Sequence, residues 1–222
     1  MQAVPLTGDT GGFWFFDAAN TELIVKVLDA RSLHAGYWVF YGALSDVEYT
    51  VTVTDTQTGQ TKTYQNPAGT LASVADTATF ASSVEMPAAD SVRAVTSAIL
   101  QGSLAAPESS SPCPAGSDHL CLEQSRFQIQ VDWTAESNGS GHGTAVPLSH
   151  DSGYFWFFDR SNVELIVKVL DGRGVNGHFW VFYGALSNVQ YTITVTDSQT
   201  NVVRTYQNAQ GNLASVADTS AF

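Results

Sequence analysis

The feature that most constrains this chain is an internal repeat. Residues 4–80 align without a gap on residues 146–222 at a constant offset of 142. Roughly 50 of the 77 aligned positions are identical, which is typical of a duplicated structural unit. The blocks FWFFD, ELIVKVLD, WVFYGALS and LASVADT occur unchanged in both copies. Because this period is far longer than that of a solenoid repeat, the sequence predicts the same domain twice in tandem.

Each copy alternates apolar and polar residues with a period of two. Residues 49–55 and 191–197 show this pattern, which is typical of a strand with one buried and one wet face. Polar turns follow at 56–59 and 198–201, and a second run begins after each turn. The sequence therefore predicts a β-hairpin in each copy.

Other segments are almost continuously apolar, and these indicate central strands covered on both faces. They are residues 22–28 and 37–42 in the first copy and residues 164–170 and 179–184 in the second, with glycine-containing loops between them. Turn signals at intervals of about 8–12 residues favour a sandwich. The predicted fold class is all-β, with two tandem antiparallel β-sandwich domains of immunoglobulin-like size.

The domain boundaries follow from composition. Residues 81–112 are rich in Ala, Ser and Pro and are predicted to form a linker, within which residues 91–100 fit either a short strand or a short helix. The predicted domains are then residues 1–80 and 113–222. A length of 222 residues suits two domains of ordinary size.

The second copy has a leading strand that the first copy lacks. Residues 126–133 alternate cleanly, whereas only Met1, Gln2 and Ala3 precede the first copy. We therefore expect the first domain to present an open edge, which proteins rarely leave uncovered. It would be covered by residues 91–100, by an upstream part of a longer parent protein, or by a strand from a neighbouring molecule. The predicted donor strand carries Arg126, Phe127, Ile129, Val131 and Trp133.

Charge and hydropathy exclude several classes of protein. The formal net charge is −12 and the isoelectric point is near 4.5, so a nucleic-acid backbone or an anionic membrane surface would repel the chain. No run of 18 apolar residues predicts a membrane span. Residues 1–10 lack the basic start and apolar middle of a signal peptide. We therefore expect a soluble chain that does not bind nucleic acid.

Several strings together resemble a known type of module. They are LCL at 120–122, RFQIQVDW at 126–133, GTAVPL at 143–148, SGYFWFFD at 152–159 and VELIVKVLDG at 163–172. They are similar to a β-rich module that recurs, alone or in tandem, in secreted and surface-exposed bacterial proteins. The resemblance covers residues 113–222 fully and residues 4–80 without the leading strand. It implies a secreted or cell-surface location and no established biochemical activity.

Each copy carries a set of oxygen-bearing side chains around one turn and strand. A hard cation such as Ca²⁺ takes six to eight oxygen ligands, so these residues are candidate calcium ligands. The alternative is that they form turns and strand ends. The candidates are Asp17, Asn20, Glu22 and Asp29 in the first copy and Asp159, Asn162, Glu164 and Asp171 in the second.

The aromatic residues have two interpretations. Rings left exposed by strand alternation would stack on sugars or on a partner surface, and rings turned inward would fill the sandwich core. The candidate aromatic binding face consists of Trp14, Trp38, Trp156 and Trp180.

Cys113 and Cys121 are the two cysteines of the chain. In a secreted protein they indicate a disulfide that closes a small loop before the leading strand. The alternative is a zinc site with His119, in which His142 or His150 would be a further ligand, although the spacing fits no common zinc finger.

Lys26 and Lys168 interrupt otherwise apolar strands. A buried lysine can be catalytic, but pairing with a carboxylate such as Glu22 on the same face is favoured. Neither copy contains a metalloprotease, nucleophile-elbow or phosphate-loop motif, and the five histidines have no counterparts in the other copy. We therefore do not expect an enzyme.

The sequence favours one function and leaves one alternative. The favoured function is a non-catalytic extracellular structural or adhesive module that forms a homo-oligomer or filament by strand complementation. The alternative is a ligand-binding module of a secreted protein that binds Ca²⁺ or a glycan.

Overall fold

A computed structural model describes residues 1–34, 36–80, 113–114 and 116–222. The chain is nearly all β, as predicted, with only two helices of four residues each in the described part. The elements of the first repeat are β1 (Gln2–Pro5), β2 (Thr10–Trp14), β3 (Leu23–Asp29), α1 (Arg31–His34), β4 (Tyr37–Ala43), β5 (Tyr49–Thr54), β6 (Thr61–Asn66) and β7 (Ser73–Thr79).

The second repeat contains the same elements in the same order, preceded by three more strands. The additional strands are β8 (His119–Leu122), β9 (Phe127–Ala135) and β10 (Gly139–His142). The common elements are β11 (Thr144–Pro147), β12 (Ser152–Trp156), β13 (Leu165–Gly172), α2 (Arg173–Asn176), β14 (His178–Ala185), β15 (Gln190–Asp197), β16 (Val203–Asn208) and β17 (Ser215–Asp218).

The strands of each repeat form two antiparallel sheets. One sheet has five strands, in the order β1-β2-β3-β4-β7 in the first repeat and β11-β12-β13-β14-β17 in the second. The other sheet differs between the repeats. It is the hairpin β5-β6 in the first repeat, whereas in the second it has the order β10-β9-β15-β16, with β8 also paired to β9. Both predicted hairpins are confirmed.

The core of the second repeat lies between its two sheets. The alternation predicted for the leading strand is confirmed, because Phe127, Ile129 and Val131 of β9 are buried while Gln130 is exposed. These side chains pack with those of the five-stranded sheet in one continuous apolar cluster. Burial of a whole strand face in this way supplies the main driving force for folding.

Two predictions about the connections have different outcomes. The loops predicted after β3 and β13 each contain one helical turn, α1 or α2. The second turn ends at Gly177, whose φ of +85° is the left-handed conformation that glycine adopts readily at a helix end. The predicted linker, including the undecided segment 91–100, lies outside the described residues.

Neither α1 nor α2 is long and apolar enough to cross a bilayer.

The outer faces of the two five-stranded sheets pack against each other. A third apolar cluster joins the repeats there, and its fully buried members are Ile24, Leu44, Val163, Ile166 and Leu186. This contact explains why β3 and β13 are apolar on both faces, since each lies between its own partner sheet and the other repeat.

Candidate functional sites

The first repeat presents an open sheet edge among the described residues. In the second repeat β15 pairs with β16 on one side and with β9 on the other, over the register from Gln190 opposite Thr134 to Asp197 opposite Phe127. The corresponding strand β5 pairs with β6 alone in the part of the chain that the structure describes. One row of its backbone hydrogen-bonding groups is therefore left for another strand.

Apolar side chains near this edge are more exposed than their counterparts in the second repeat. Phe158 contacts Trp133 of β9, with ring centroids 4.7 Å apart. Among residues 1–34, 36–80, 113–114 and 116–222, no tryptophan covers its counterpart Phe16, which is 73% exposed against 40% for Phe158. Val51 in β5 is 8% exposed, whereas Ile193 at the same place in β15 is fully buried. The open edge of β5 and the Phe16 ring thus form one surface, which we call the β5 edge.

A charged group also lies at the end of the β5 edge. In the second repeat Arg126, just before β9, forms a two-pronged ion pair with Asp197, with contacts of 3.0 and 2.7 Å. Asp55 occupies the position of Asp197 in the first repeat and bonds to the Thr58 hydroxyl and the backbone N–H of Gln57. These bonds lower the pKa of Asp55, so it stays ionised and can pair with a basic residue at the start of an added strand.

A second candidate site lies between the repeats. Lys26 of β3 donates hydrogen bonds to Asn162 Oδ1 at 2.8 Å and to the carbonyl of Val163 at 2.9 Å. Lys168 of β13 makes the same contacts in the opposite direction, to Asn20 Oδ1 at 2.7 Å and to the carbonyl of Thr21 at 3.1 Å. The contact is reciprocal, as in a twofold homodimer.

Each asparagine in turn contacts a glutamate of its own repeat. Asn162 Nδ2 donates to Glu164 Oε1, and Asn20 Nδ2 donates to Glu22 Oε1 at 2.5 Å. The second carboxylate oxygen of each glutamate accepts the backbone N–H of Phe157 or Phe15 at 2.6 Å. The two sets Lys26–Asn162–Glu164 and Lys168–Asn20–Glu22 are called here the reciprocal triads.

Burial sets the protonation of the reciprocal triads. Lys26 is 2% exposed and Lys168 is 1% exposed. Burial lowers the pKa of Lys168 to about 8, against the opposing charges of Glu22 and Asp151. Burial likewise lowers the pKa of Lys26 and raises the pKa of Glu22 and Glu164. Neutral lysine is therefore accessible near neutral pH in both triads, and a neutral carboxylic acid is accessible at Glu164.

The predicted pairing of Lys26 with Glu22 is wrong. The lysine is held by groups of the other repeat, and the carboxylate with the main electrostatic effect on it is Glu164. Lys168 likewise interacts with Glu22. The physical reason is that the lysines lie on the outer sheet faces, which pack against each other rather than facing solvent.

The backbones approach each other closely near this contact. A Cβ atom added to Gly42 would lie 3.2 Å from the carbonyl carbon of Gly184, and one added to Gly184 would lie 3.2 Å from Gly42. The Ser73 and Ser215 hydroxyls, also equivalent residues, lie 2.7 Å apart. These self-pairs mark a pseudo-twofold axis that relates the repeats, because equivalent residues of two subunits meet only on the axis.

The acidic residues proposed as calcium ligands occupy separate places. Asp17 accepts the backbone N–H of Ala19 in the turn, and Asp29 pairs with Arg31 at the far end of β3. Since Glu22 and Asp29 are separated by a seven-residue strand, roughly 23 Å long, one ion cannot contact both. Asp159 and Asp171 repeat these contacts with Ser161 and Arg173. A calcium site stays a prediction for the turn residues alone.

The four tryptophans proposed as a binding face are all half-buried. Trp156 and Trp180 pack against the apolar cluster between the repeats, so they contribute to the contact described above. Trp38 makes an edge contact with Phe40, with ring centroids 6.3 Å apart, and Trp14 lies in β2. The most exposed aromatic ring among the described residues is that of Phe16, and glycan binding stays a prediction.

The disulfide between Cys113 and Cys121 is confirmed. His119 lies beside it, with a ring nitrogen within 4.8 Å of both sulfur atoms, and its ring contacts Asp118 and the carbonyl of Pro114. Because zinc binds thiolate sulfur, the disulfide-bonded pair is not a zinc site. The bridge instead attaches the segment before β8 to the core residue Leu120 and its neighbours.

Removal of this disulfide is expected to destabilise the second repeat. The bridge closes a loop with a sequence separation of eight residues, for which chain-entropy estimates give about 2.5 kcal/mol. The double variant Cys113→Ser, Cys121→Ser should show this decrease in chemical unfolding. Reducing agent should lower the stability of the wild type and leave the variant unchanged. Equal stability of the two proteins would contradict a structural role for the bridge.

Comparisons of the chain with protein-family models, curated proteins and solved structures find no match. Sequence reasoning selected the asparagines and glutamates of the reciprocal triads, but as metal ligands. It did not select Lys26 and Lys168 as site residues, although an identical lysine inside each continuously apolar strand was the available signal.

Proposed function

We propose that this chain is a non-catalytic structural or adhesive module of an extracellular assembly, and that its β5 edge accepts a strand from a partner. The observation that carries the proposal is the difference between Phe16 and Phe158, which are identical in sequence context but differ in cover. An apolar sheet edge of this kind favours β-augmentation, in which an added strand supplies both backbone hydrogen bonds and side-chain cover.

The extracellular location is supported by chemistry. Disulfides persist in oxidising compartments and are rare in the cytosol, and the Cys113–Cys121 bridge is present here. The resemblance of the sequence to modules of secreted and surface bacterial proteins agrees with this location.

The partner strand is described by what β9 does in the second repeat. It should begin with a basic residue to meet Asp55, carry apolar residues at every second position, and end with an aromatic ring that covers Phe16. The predicted donor, residues 126–133, is already paired with β15 in its own repeat. Exchange of β9 between molecules would cover the β5 edge of one molecule but expose the edge of β15 in the molecule that donates the strand. The partner strand therefore has to come from a segment other than β9.

A peptide of residues 126–135 provides a direct test. We expect it to bind the full chain with 1:1 stoichiometry in calorimetry, because it contains the arginine, the alternating apolar residues and the tryptophan. Hydrogen exchange of the β5 amides should slow in the complex. At a free peptide concentration 100-fold above Kd, binding should stabilise the fold by about 2.7 kcal/mol.

The control peptide replaces Ile129 and Val131 by aspartate. It keeps the length and the arginine but removes the apolar face, so it should not bind. No binding of the first peptide, or equal binding of both, would contradict the proposal. Light scattering of the chain alone tests the predicted homo-oligomer or filament. Self-association is expected when a second copy supplies the strand, and a strictly monomeric species would contradict the homo-oligomer.

A further inference from the structure

The reciprocal triads hold three functional groups in an order that suits bond formation. A lysine amine contacts a side-chain amide, and a carboxyl group contacts the nitrogen of that amide. We propose that the two repeats are joined covalently, by isopeptide bonds that form without an added enzyme between Lys26 and Asn162 and between Lys168 and Asn20. This proposal is independent of the strand-acceptor function.

The first requirement is a nucleophilic amine next to the amide carbon. Lys26 Nζ lies 2.8 Å from Asn162 Oδ1, and Lys168 Nζ lies 2.7 Å from Asn20 Oδ1. Amines attack only in the neutral form, which burial favours for both lysines. Two of the three lysines of the chain are thus held against an amide and shielded from solvent.

The second requirement is an acid that helps the leaving group to depart. Amide nitrogen leaves as ammonia only when it is protonated, and a carboxyl group with a raised pKa can carry that proton at neutral pH. Burial raises the pKa of Glu164 and of Glu22, and each glutamate accepts a hydrogen bond from the nitrogen that would leave. The backbone N–H of Phe157 or Phe15 holds the second carboxylate oxygen in place.

The reaction balances without any co-reactant. The lone pair of Lys26 Nζ attacks Asn162 Cγ and forms the new C–N bond. In this adduct Nζ and Nδ2 are bonded to the same carbon. Protonated Glu164, which contacts Nδ2, gives its proton to Nδ2, the Cγ–Nδ2 bond breaks, and the Glu164 carboxylate takes one proton from Nζ. The products are one secondary amide and one ammonia, and Glu164 returns to its starting state. Nothing is oxidised or reduced, and the remaining Nζ–H can still donate to the carbonyl of Val163.

The surroundings favour the product. The Lys26 and Lys168 amines lie 5.0 and 5.2 Å from the ring centroids of Phe40 and Phe182, which exclude water from one side. Low water access disfavours hydrolysis of the new amide and strengthens the hydrogen bonds that align the groups. Formation of each bond replaces a buried charge or a buried amine by a neutral amide, which costs less to bury.

Intact-mass spectrometry of the reduced full chain tests the proposal. Each bond removes one ammonia, about 17 Da, so the wild type should be lighter than its sequence mass by about 34 Da. Tryptic digestion should yield joined peptides that contain Lys26 with Asn162 and Lys168 with Asn20. On a denaturing gel the joined chain should migrate faster than an unjoined one, since the bonds connect residues 136 and 148 positions apart.

The two glutamates give matched variants. In Glu164→Gln the Lys26–Asn162 bond should be absent and the other bond present, and in Glu22→Gln the reverse should hold. The double variant should show its full sequence mass, whereas Lys62→Met, at an exposed lysine, should keep both bonds. Circular dichroism establishes that the variants fold.

The outcomes are distinct. A loss of one ammonia in the wild type would support the proposal at the site where the joined peptide is found and overturn it at the other. A folded, reduced wild type with its full sequence mass would overturn it entirely. This result does not depend on any variant, so a variant that fails to fold does not rescue the proposal.

Discussion

Arg126→Ala is expected to lower the free energy of unfolding of the second repeat by about 3–5 kcal/mol, the usual cost of breaking a buried ion pair. The partner carboxylate of Asp197 is 1% exposed and would lose two charge-assisted hydrogen bonds. The guanidinium also lies 4.3 Å from the ring centroid of Phe179. Denaturant unfolding followed by tryptophan fluorescence measures the difference.

The difference in the free energy of unfolding between the wild type and Arg126→Ala should depend on pH. Burial raises the pKa of Asp197, but bonds from Arg126, from the Gln199 N–H and from the Thr200 hydroxyl outweigh this effect and hold the pKa below 3.8. A depressed carboxyl pKa contributes stability that is present above the unfolded pKa and is lost as the pH falls through the folded pKa. The gap between wild type and variant should therefore close as the pH drops below about 4.

Arg173→Ala is the matched control. Arg173 makes the same kind of two-pronged contact with Asp171, at 2.8 and 2.6 Å, and its guanidinium also lies over Phe179. The side chains of Arg173 and Asp171 are 55% and 40% exposed, and exposed ion pairs contribute little to stability. Equal losses of unfolding free energy in Arg126→Ala and Arg173→Ala would contradict the conclusion that the burial of Asp197 makes its ion pair more stabilising.

Ile24→Ala and Ile166→Ala are each expected to lower the free energy of unfolding by about 2–4 kcal/mol, the usual cost of emptying a fully packed site. Both side chains are fully buried, and both lie in the cluster between the repeats. Within an isolated repeat the same residues would lie on the outer face of a sheet. Substitution of a surface residue rarely changes stability by more than about 0.5 kcal/mol.

The double variant measures the contact itself. Because the two residues share one cluster, their effects should be non-additive, with a coupling of about 0.5–3 kcal/mol. Thr50→Ala, at an exposed position of β5, should leave the stability nearly unchanged. Small and additive effects at Ile24 and Ile166 would show that the repeats do not pack through these faces in solution.

Some features of the molecule were predictable because they depend on local pattern. Tyr49 to Thr54 alternates and forms β5, and the polar residues after it form the turn to β6. The continuous apolar runs predicted strands with two covered faces, as in β3 and β13. The alternating run at residues 126–133 was likewise recognisable as a strand, and it forms β9 beside β15.

The sequence alone determined the duplication, the strands, including the leading strand β9, and the disulfide. Only the tertiary structure decided that the outer sheet faces meet about a pseudo-twofold axis. It also assigned Lys26 to Asn162 of the other repeat, and not to Glu22. The physical reason is that the alternation of residues along a strand indicates which face of the strand is buried. Which surface covers that face depends on contacts between residues more than a hundred positions apart in the sequence.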